Sequence, residues 1–238
     1  MSRLLYPSHK LLSTPQKALV FATSAVRALC DPTRADSVGV VGEVTAGPFL
    51  GQMHRYMLQD EDGARILAEK PRISTALPQL NLDELKKVHV GTLGHAYYQF
   101  MASHGYSSDD RPVVRFVDNA EHAYIWQRYR EVHDFWHVLL GQPPTVLGEL
   151  TVKWTEWVQT KFPIGLFSGI GSALVLLSPE KRRFLTSEVI PWVVENVPVF
   201  QKNMLCIPYE SMLTMPLTQI RDMYNIHPAP VHPSEVGA

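Results

Sequence analysis

Two histidines one helical turn apart place the strongest constraint on this chain. His133 and His137 lie in the segment His-Asp-Phe-Trp-His, and Glu149 follows a Gly-Gln-Pro-Pro break. Side chains four residues apart on a helix are roughly 5–6 Å from each other, so both imidazoles can reach one ion. His137 and Glu149 are equally distant from Pro143, and such positions face each other in a tight helical hairpin. Asp134, about 100° further round the helix, reaches that ion from the flank. The pattern predicts a divalent metal held by His133, Asp134, His137 and Glu149.

Zinc proteases share part of this pattern. Their H-E-x-x-H motif puts a glutamate after the first histidine, where it acts as the general base. Here the residue is Asp134, which is one methylene shorter and better placed to bind the ion than to activate a water. A metallohydrolase is therefore the weakest of the functions considered, and a solvated histidine pair without metal is the structural alternative.

Composition excludes several other classes. The chain has 238 residues and a net charge of −1, which offers no electrostatic basis for nucleic-acid binding. Cys30 and Cys206 are too few for a disulfide framework and indicate a reducing compartment. No apolar run reaches the ~18–20 residues of a membrane-spanning helix. The first residues are too short a leader for a normal mitochondrial presequence.

Apolar spacing predicts an all-α fold: a single compact helical domain over residues 15–228, with an N-terminal extension (1–14) and a loose Pro-rich tail (229–238). Asp118 and Glu121 predict the start of the helix that carries the histidines, and Gly141 predicts its end. Pro191 should kink or end its helix. The predicted helices are 16–29, 35–45, 49–59, 64–69, 91–104, 118–141, 145–160, 164–177, one from Ser178, and two short ones within 209–226.

Two basic residues lie close to the predicted metal site along the chain. Arg130 precedes His133 by three residues, so its guanidinium should share the helix face and can hold a carboxylate in a bidentate contact. Lys153, one turn beyond Glu149, is a second candidate. These two are the predicted catalytic residues, although surface ion pairs would explain the same spacing.

The H-D-x-x-H-x11-E pattern resembles the signature of the coenzyme Q (ubiquinone) biosynthesis protein 4 family. The similarity extends from about residue 6 to 230 and includes Lys-Pro-Arg-Ile-Ser-Thr at 70–75, Arg-Phe-Val-Asp at 115–118 and Ile-Pro-Trp at 190–192. The resemblance implies that His133, Asp134, His137 and Glu149 bind Zn²⁺. It also implies a peripheral protein on the matrix side of the mitochondrial inner membrane, within a complex of other ubiquinone-biosynthesis enzymes.

The activity implied by this resemblance is removal of the C1 carboxyl group from a 4-hydroxy-3-methoxy-5-polyprenylbenzoate, which makes the chain a carboxy-lyase. Zn²⁺ suffices for plain decarboxylation, whereas an oxidative reaction that replaces carboxyl by hydroxyl favours Fe²⁺. The prenyl tail needs an apolar groove, for which the stretch 164–177 and the stripe 19–29 are candidates. The alternative function is a non-catalytic scaffold that binds such lipids and organises the complex.

Overall fold

A computed structural model describes residues 5–30, 35–111 and 113–236. Within these residues all regular elements are helical and no strand occurs, which confirms the all-α prediction. In chain order the α-helices are α1 (Thr14–Cys30), α2 (Ala35–Thr45), α3 (Gly47–Gln59), α4 (Glu61–Glu69), α5 (Leu82–Leu85), α6 (Leu93–His104), α7 (Ala120–Leu140), α8 (Val146–Thr160), α9 (Pro163–Leu176), α10 (Pro179–Phe184), α11 (Ile190–Asn196) and α12 (Leu217–Tyr224).

Helix α7 occupies the centre of the molecule. Every residue from Ala123 to Leu140 is buried, and the helix packs against α3, α4, α6 and α8. A helix buried on all sides is ordinarily apolar, yet α7 carries arginines, histidines and acids that no longer contact bulk water. Burial of such groups is costly unless each finds a partner inside the protein. The partners of α7 therefore determine what this helix does.

The ends of α7 follow from local chemistry. Its first turn is capped by Asn119, whose side chain accepts a hydrogen bond from the backbone N–H of His122 at 3.0 Å. The start predicted at Asp118 is thus wrong by one residue, because the Asp118 carboxylate instead pairs with His9 and Lys17 of the N-terminal segment. Gly141, with φ of +67°, ends the helix as predicted, since glycine enters the left-handed region without steric cost.

A short connection brings α8 back against α7. The side chain of Thr145 accepts from the backbone N–H of Gly148 at 3.1 Å and so caps α8. A Cβ at Gly148 would lie 2.0 Å from the carbonyl oxygen of Pro143, so only glycine permits this tight return. Because the turn is tight, the first turn of α8 lies beside the last turns of α7.

The second half of the chain contains the predicted proline distortion. Between α10 and α11 the residues Leu185–Val189 form a π-helical segment, and Pro191 occupies the second position of α11. Proline has no N–H to donate to the preceding turn, so the backbone widens there while the chain remains helical. The distortion before Pro191 thus takes the form of a π-helical segment, and a kink at this residue stays a prediction.

Segment 226–236, which includes most of the tail predicted to be loose, makes defined contacts. The Ala229 N–H donates to the carbonyl oxygen of Leu140 at 2.9 Å, and Ala229 and Glu235 are buried. Its regular structure is the short 3₁₀ turn Pro233–Glu235, and its prolines, which cannot donate, still have carbonyl oxygens that can accept hydrogen bonds. Of the two short helices predicted within 209–226, the second is α12 and the first is the 3₁₀ turn Tyr209–Ser211.

Helix α9 carries an exposed apolar surface. Phe167, Ile170 and Leu174 follow one another at helical spacing and are exposed, as is Val175. The opposite side of α9 packs along α8, and α2 lies between α9 and α1. Among the described helices, none combines the length and the apolar character needed to cross a bilayer.

Candidate metal centre

Three of the predicted ligands converge between α7 and α8. The Nε2 atoms of His133 and His137 are 3.3 Å apart, and the two carboxylate oxygens of Glu149 are each 3.2 Å from one of them. His133 and His137 are buried, whereas the side chain of Glu149 is 42% exposed. The hairpin geometry predicted from the position of Pro143 is therefore present.

Hydrogen bonds behind the rings determine which nitrogen faces the centre. His137 Nδ1 is 3.1 Å from the carbonyl oxygen of Gln142, which can only accept, so Nδ1 carries the hydrogen. His133 Nδ1 is 2.6 Å from Oε1 of Glu156 and donates to that carboxylate in the same way. In the neutral rings both Nε2 atoms then present lone pairs to each other and to Glu149. The centre is a group of acceptors without a donor.

A divalent cation fits such a group. Around a tetrahedral zinc ion with bonds of about 2.0–2.1 Å, two ligand atoms lie about 3.3 Å apart. The two Nε2 atoms are 3.3 Å apart, and each lies 3.2 Å from a different carboxylate oxygen of Glu149, so a cation held by both rings is within reach of that carboxylate. A metal-bound histidine also normally donates its other ring N–H to a carboxylate or a backbone carbonyl, and both kinds of partner occur here.

The charges of the centre support the same interpretation. Burial and Lys153 both oppose protonation of His133, but the carboxylates of Glu149 and Glu156 outweigh them and raise its pKa. Burial alone would raise the pKa of Glu149, yet His137 and His133 hold it well below its usual range. In the absence of metal, a proton on an Nε2 atom therefore takes the place of the cation, and metal uptake should release it.

Glu156 is the site residue that sequence reasoning missed. Its carboxylate is buried, with Oε2 accepting from the hydroxyl of Tyr129 at 2.5 Å and from Lys153 at 2.7 Å. Burial opposes its ionisation, but Lys153 and His133 lower its pKa to about 2. A signal was present, because Glu156 lies seven residues after Glu149 and hence on the same face of α8.

The two predicted catalytic residues occupy different surroundings. Lys153 Nζ is 3.5 Å from His133 Nδ1, so it belongs to the immediate neighbourhood of the centre. Arg130 is buried with Nη1 at 3.4 Å from Oε1 of Glu43 on α2. Its guanidinium is packed close to Gly39, and burial lowers its pKa. Catalytic roles for Lys153 and Arg130 remain predictions.

Asp134, the fourth predicted ligand, does not join the other three. Its carboxylate lies on the flank of α7 and accepts a hydrogen bond at 2.5 Å from Arg111, which precedes this helix in the chain. The reason is the helix geometry already noted, since consecutive residues diverge by about 100°. The structure thus brings together His133, His137 and Glu149, and ligation by Asp134 remains a prediction.

A cavity of about 500 Å³ adjoins the centre at His137. The ring of Phe100 lies 5.2 Å from the His137 ring and forms part of the cavity wall. Most of the remaining lining is apolar, with Arg221 and Glu235 as its charged members. Of the three converging residues, His137 alone lines this cavity, so a molecule bound there would contact that ring.

Known proteins match the sequence of this chain over nearly its whole length. Residues 6–230 match the family model described as coenzyme Q (ubiquinone) biosynthesis protein Coq4. The chain is 42% identical over 234 residues to the mitochondrial ubiquinone biosynthesis protein COQ4 homolog of Rattus norvegicus, covering 97% of this chain and 86% of that protein. It is 38% identical over 229 residues to the mitochondrial ubiquinone biosynthesis protein coq-4 of Caenorhabditis elegans, covering 96% and 97% of the two chains.

A solved structure shares the fold. The crystal structure of a Nostoc punctiforme protein, provisionally named a ubiquinone biosynthesis protein, superposes with a TM-score of 0.70 over 90% of this chain and 98% of that chain. The identity is 19%, so this similarity supports the helical architecture alone. The family model and the relatives at about 40% identity lead to one conclusion: the chain belongs to the coenzyme Q (ubiquinone) biosynthesis protein Coq4 family and has a role in ubiquinone biosynthesis.

Proposed function

We propose that this protein is a metal-dependent carboxy-lyase that removes the C1 carboxyl group of a 4-hydroxy-3-methoxy-5-polyprenylbenzoate. The observation that carries the proposal is the convergence of the Nε2 atoms of His133 and His137 with the carboxylate of Glu149. A bound Zn²⁺ supplies Lewis-acid chemistry toward a carboxylate or phenolate oxygen, and Fe²⁺ supplies redox chemistry if the reaction consumes dioxygen. Asp134 is the proposed fourth ligand, and it binds the ion only weakly because it must first be released from Arg111.

The substrate assists its own decarboxylation. Its phenolate oxygen, para to the carboxyl group, directs electron density to the ring carbon C1. A proton is then added to C1. The bond between C1 and the carboxyl carbon then breaks, its electron pair restores the aromatic ring, and carbon dioxide leaves. In the oxidative form an oxygen atom from dioxygen takes the carboxyl position, and an external two-electron donor reduces the other atom to water.

The residues around the centre have separate tasks in this proposal. Glu156 holds His133 in the orientation that presents Nε2. Lys153, which already contacts Glu156, is the group nearest the centre that can deliver a proton. Arg130 is the second anchor for the substrate carboxylate, and it must leave its single 3.4 Å contact with Glu43 to serve.

The apolar surfaces suit the prenyl tail and the proposed location. The 500 Å³ cavity beside His137 can accept the ring and the first part of the tail. The exposed apolar face of α9, together with Leu19 and Val26 of α1, suits peripheral attachment to the matrix side of the mitochondrial inner membrane. The relatives named above are mitochondrial. Other ubiquinone-biosynthesis enzymes are the proposed partners there.

The scaffold alternative makes a different demand on the metal. A structural ion is enclosed by four protein ligands, whereas a catalytic ion keeps a position open for substrate. The 42% exposure of the Glu149 side chain leaves the centre accessible from one side, which favours catalysis. A scaffold would retain the metal yet never convert the benzoate.

The test combines elemental analysis with turnover. Purified wild-type protein is expected to hold a Zn²⁺ or Fe²⁺ ion and to convert the prenylated benzoate, measured with and without dioxygen. His137→Ala should lose both properties. His122→Ala, at the half-buried start of the same helix, is the matched control and should keep both. A metal-free wild type, or a fully active His137→Ala variant, would overturn the proposal; metal without turnover would favour the scaffold.

A further inference from the structure

The C-terminal segment 226–236 crosses the connection between α7 and α8, and we call it the strap. The three ligands belong to two helices that residues 141–145 connect, so the geometry of this connection contributes to the separation of the ligands. We propose that the strap is a positioning element for the metal centre and acts through Gln142 and Glu235. This inference rests on the proposed function, because it presumes that His133, His137 and Glu149 bind a metal.

Gln142 joins the strap to the ligands of α7. Its side-chain Nε2 donates to the carbonyl oxygens of Ala229 and Pro230, at 3.0 and 3.3 Å. Its own backbone carbonyl oxygen accepts from Nδ1 of His137 at 3.1 Å. One buried residue thus bonds the strap through its side chain and a ligand through its backbone. The ring orientation of His137 consequently depends on where the strap holds Gln142.

Glu235 joins the strap to the ligand of α8. Its Oε2 accepts from the hydroxyl of Thr145 at 2.5 Å, and its Oε1 pairs with Lys181 of α10. Thr145 is the residue that caps α8, four residues before Glu149. The buried carboxylate of Glu235 therefore fixes the position at which α8 begins, and with it the distance from Glu149 to the two histidines.

Both ends of the connection are held by one segment, and among the described residues no hydrogen bond joins that segment to a ligand. Outer partners that orient metal ligands typically contribute 10–100-fold to metal affinity. A segment that merely packs on the surface would alter the stability of the fold without altering metal affinity. These two consequences can be measured separately.

The experiment compares two strap variants of the full chain with a remote control. Gln142→Met removes the side-chain donors but keeps the backbone carbonyl, and Glu235→Gln removes the charge with little change in shape. Lys202→Met is the control, because Lys202 forms ion pairs with Asp60 and Asp62, as Lys181 does with Glu235. For each protein, the Zn²⁺ dissociation constant is measured by chelator competition and the metal-free unfolding midpoint by circular dichroism.

We expect each strap variant to bind Zn²⁺ about tenfold more weakly, or worse. The control should unfold at a lower temperature with an unchanged dissociation constant. Strap variants that lose stability but bind Zn²⁺ as tightly as wild type would overturn the inference, and if Gln142→Met fails to fold, Glu235→Gln decides alone. A wild type that binds no metal would instead refute the proposed function.

Discussion

Two buried polar groups on α7, Arg128 and the centre at His133 and His137, differ in whether their hydrogen-bond donors and acceptors are paired. Arg128 donates to the carbonyl oxygens of Leu205 and Ile207 at 2.9 and 2.7 Å, and to Glu210 at 2.7 Å. Burial opposes its charge, but Glu210 and its other neighbours still raise its pKa. Its donors are matched by acceptors of the protein itself.

The centre at His133 and His137, five and nine positions further along the helix, lacks this balance. Its Nε2 atoms and the oxygens of Glu149 are all acceptors when the rings are neutral. Buried acceptors that face one another are unfavourable unless a cation or proton lies among them. We infer that a buried group whose donors all have acceptors stabilises the fold, whereas a group of acceptors without a donor can bind a cation. Three substitutions test this distinction.

The largest effect is expected on the matched side. Arg128→Met removes the buried guanidinium that pairs with Glu210, and it leaves two carbonyl oxygens without a donor. The free energy of unfolding should therefore fall by about 3–5 kcal/mol. Urea unfolding of the metal-free protein measures this change. Arg65→Met, which breaks an exposed pair with Asp62, should cost less than about 1 kcal/mol. If folded Arg128→Met lost its metal as well, the two groups would not be independent.

An intermediate effect is expected from the residue behind the centre. Glu156→Gln removes the charge that holds Nδ1 of His133, so the dissociation constant for Zn²⁺ should rise about 10–100-fold. That change corresponds to about 1.4–2.8 kcal/mol of binding energy. Glu195→Gln, an exposed glutamate of α11, serves as control and should bind as wild type. Equal affinities in the two variants would contradict the role given to Glu156.

The smallest effect is expected at Asp134. Asp134→Asn keeps an oxygen that can accept from Arg111, so Zn²⁺ affinity should fall by less than about tenfold, or about 1.4 kcal/mol. Chelator competition gives this value directly. A loss as large as that of His137→Ala would instead show that Asp134 binds the ion as tightly as the histidines do, and an unchanged affinity would show that it is not a ligand.

Local spacing was enough to predict part of this site. The four-residue separation of His133 and His137 places both rings on one helix face, and Gly141 marks the end of that helix. His137 and Glu149 are equally far from Pro143 along the chain, which predicted that they lie close together in space. Each of these inferences concerns residues that are close in the chain, where helical geometry alone relates sequence to space.

Tertiary structure decided the remainder. The contacts of Arg130 with Glu43 and of Asp134 with Arg111 depend on how distant segments pack against α7. The place of the strap over the α7–α8 connection depends likewise on residues nearly ninety positions apart, such as Gln142 and Ala229. By itself the sequence determined a helical hairpin with two histidines and a glutamate. Which polar groups surround and orient them was settled only when buried side chains had to find partners across the core.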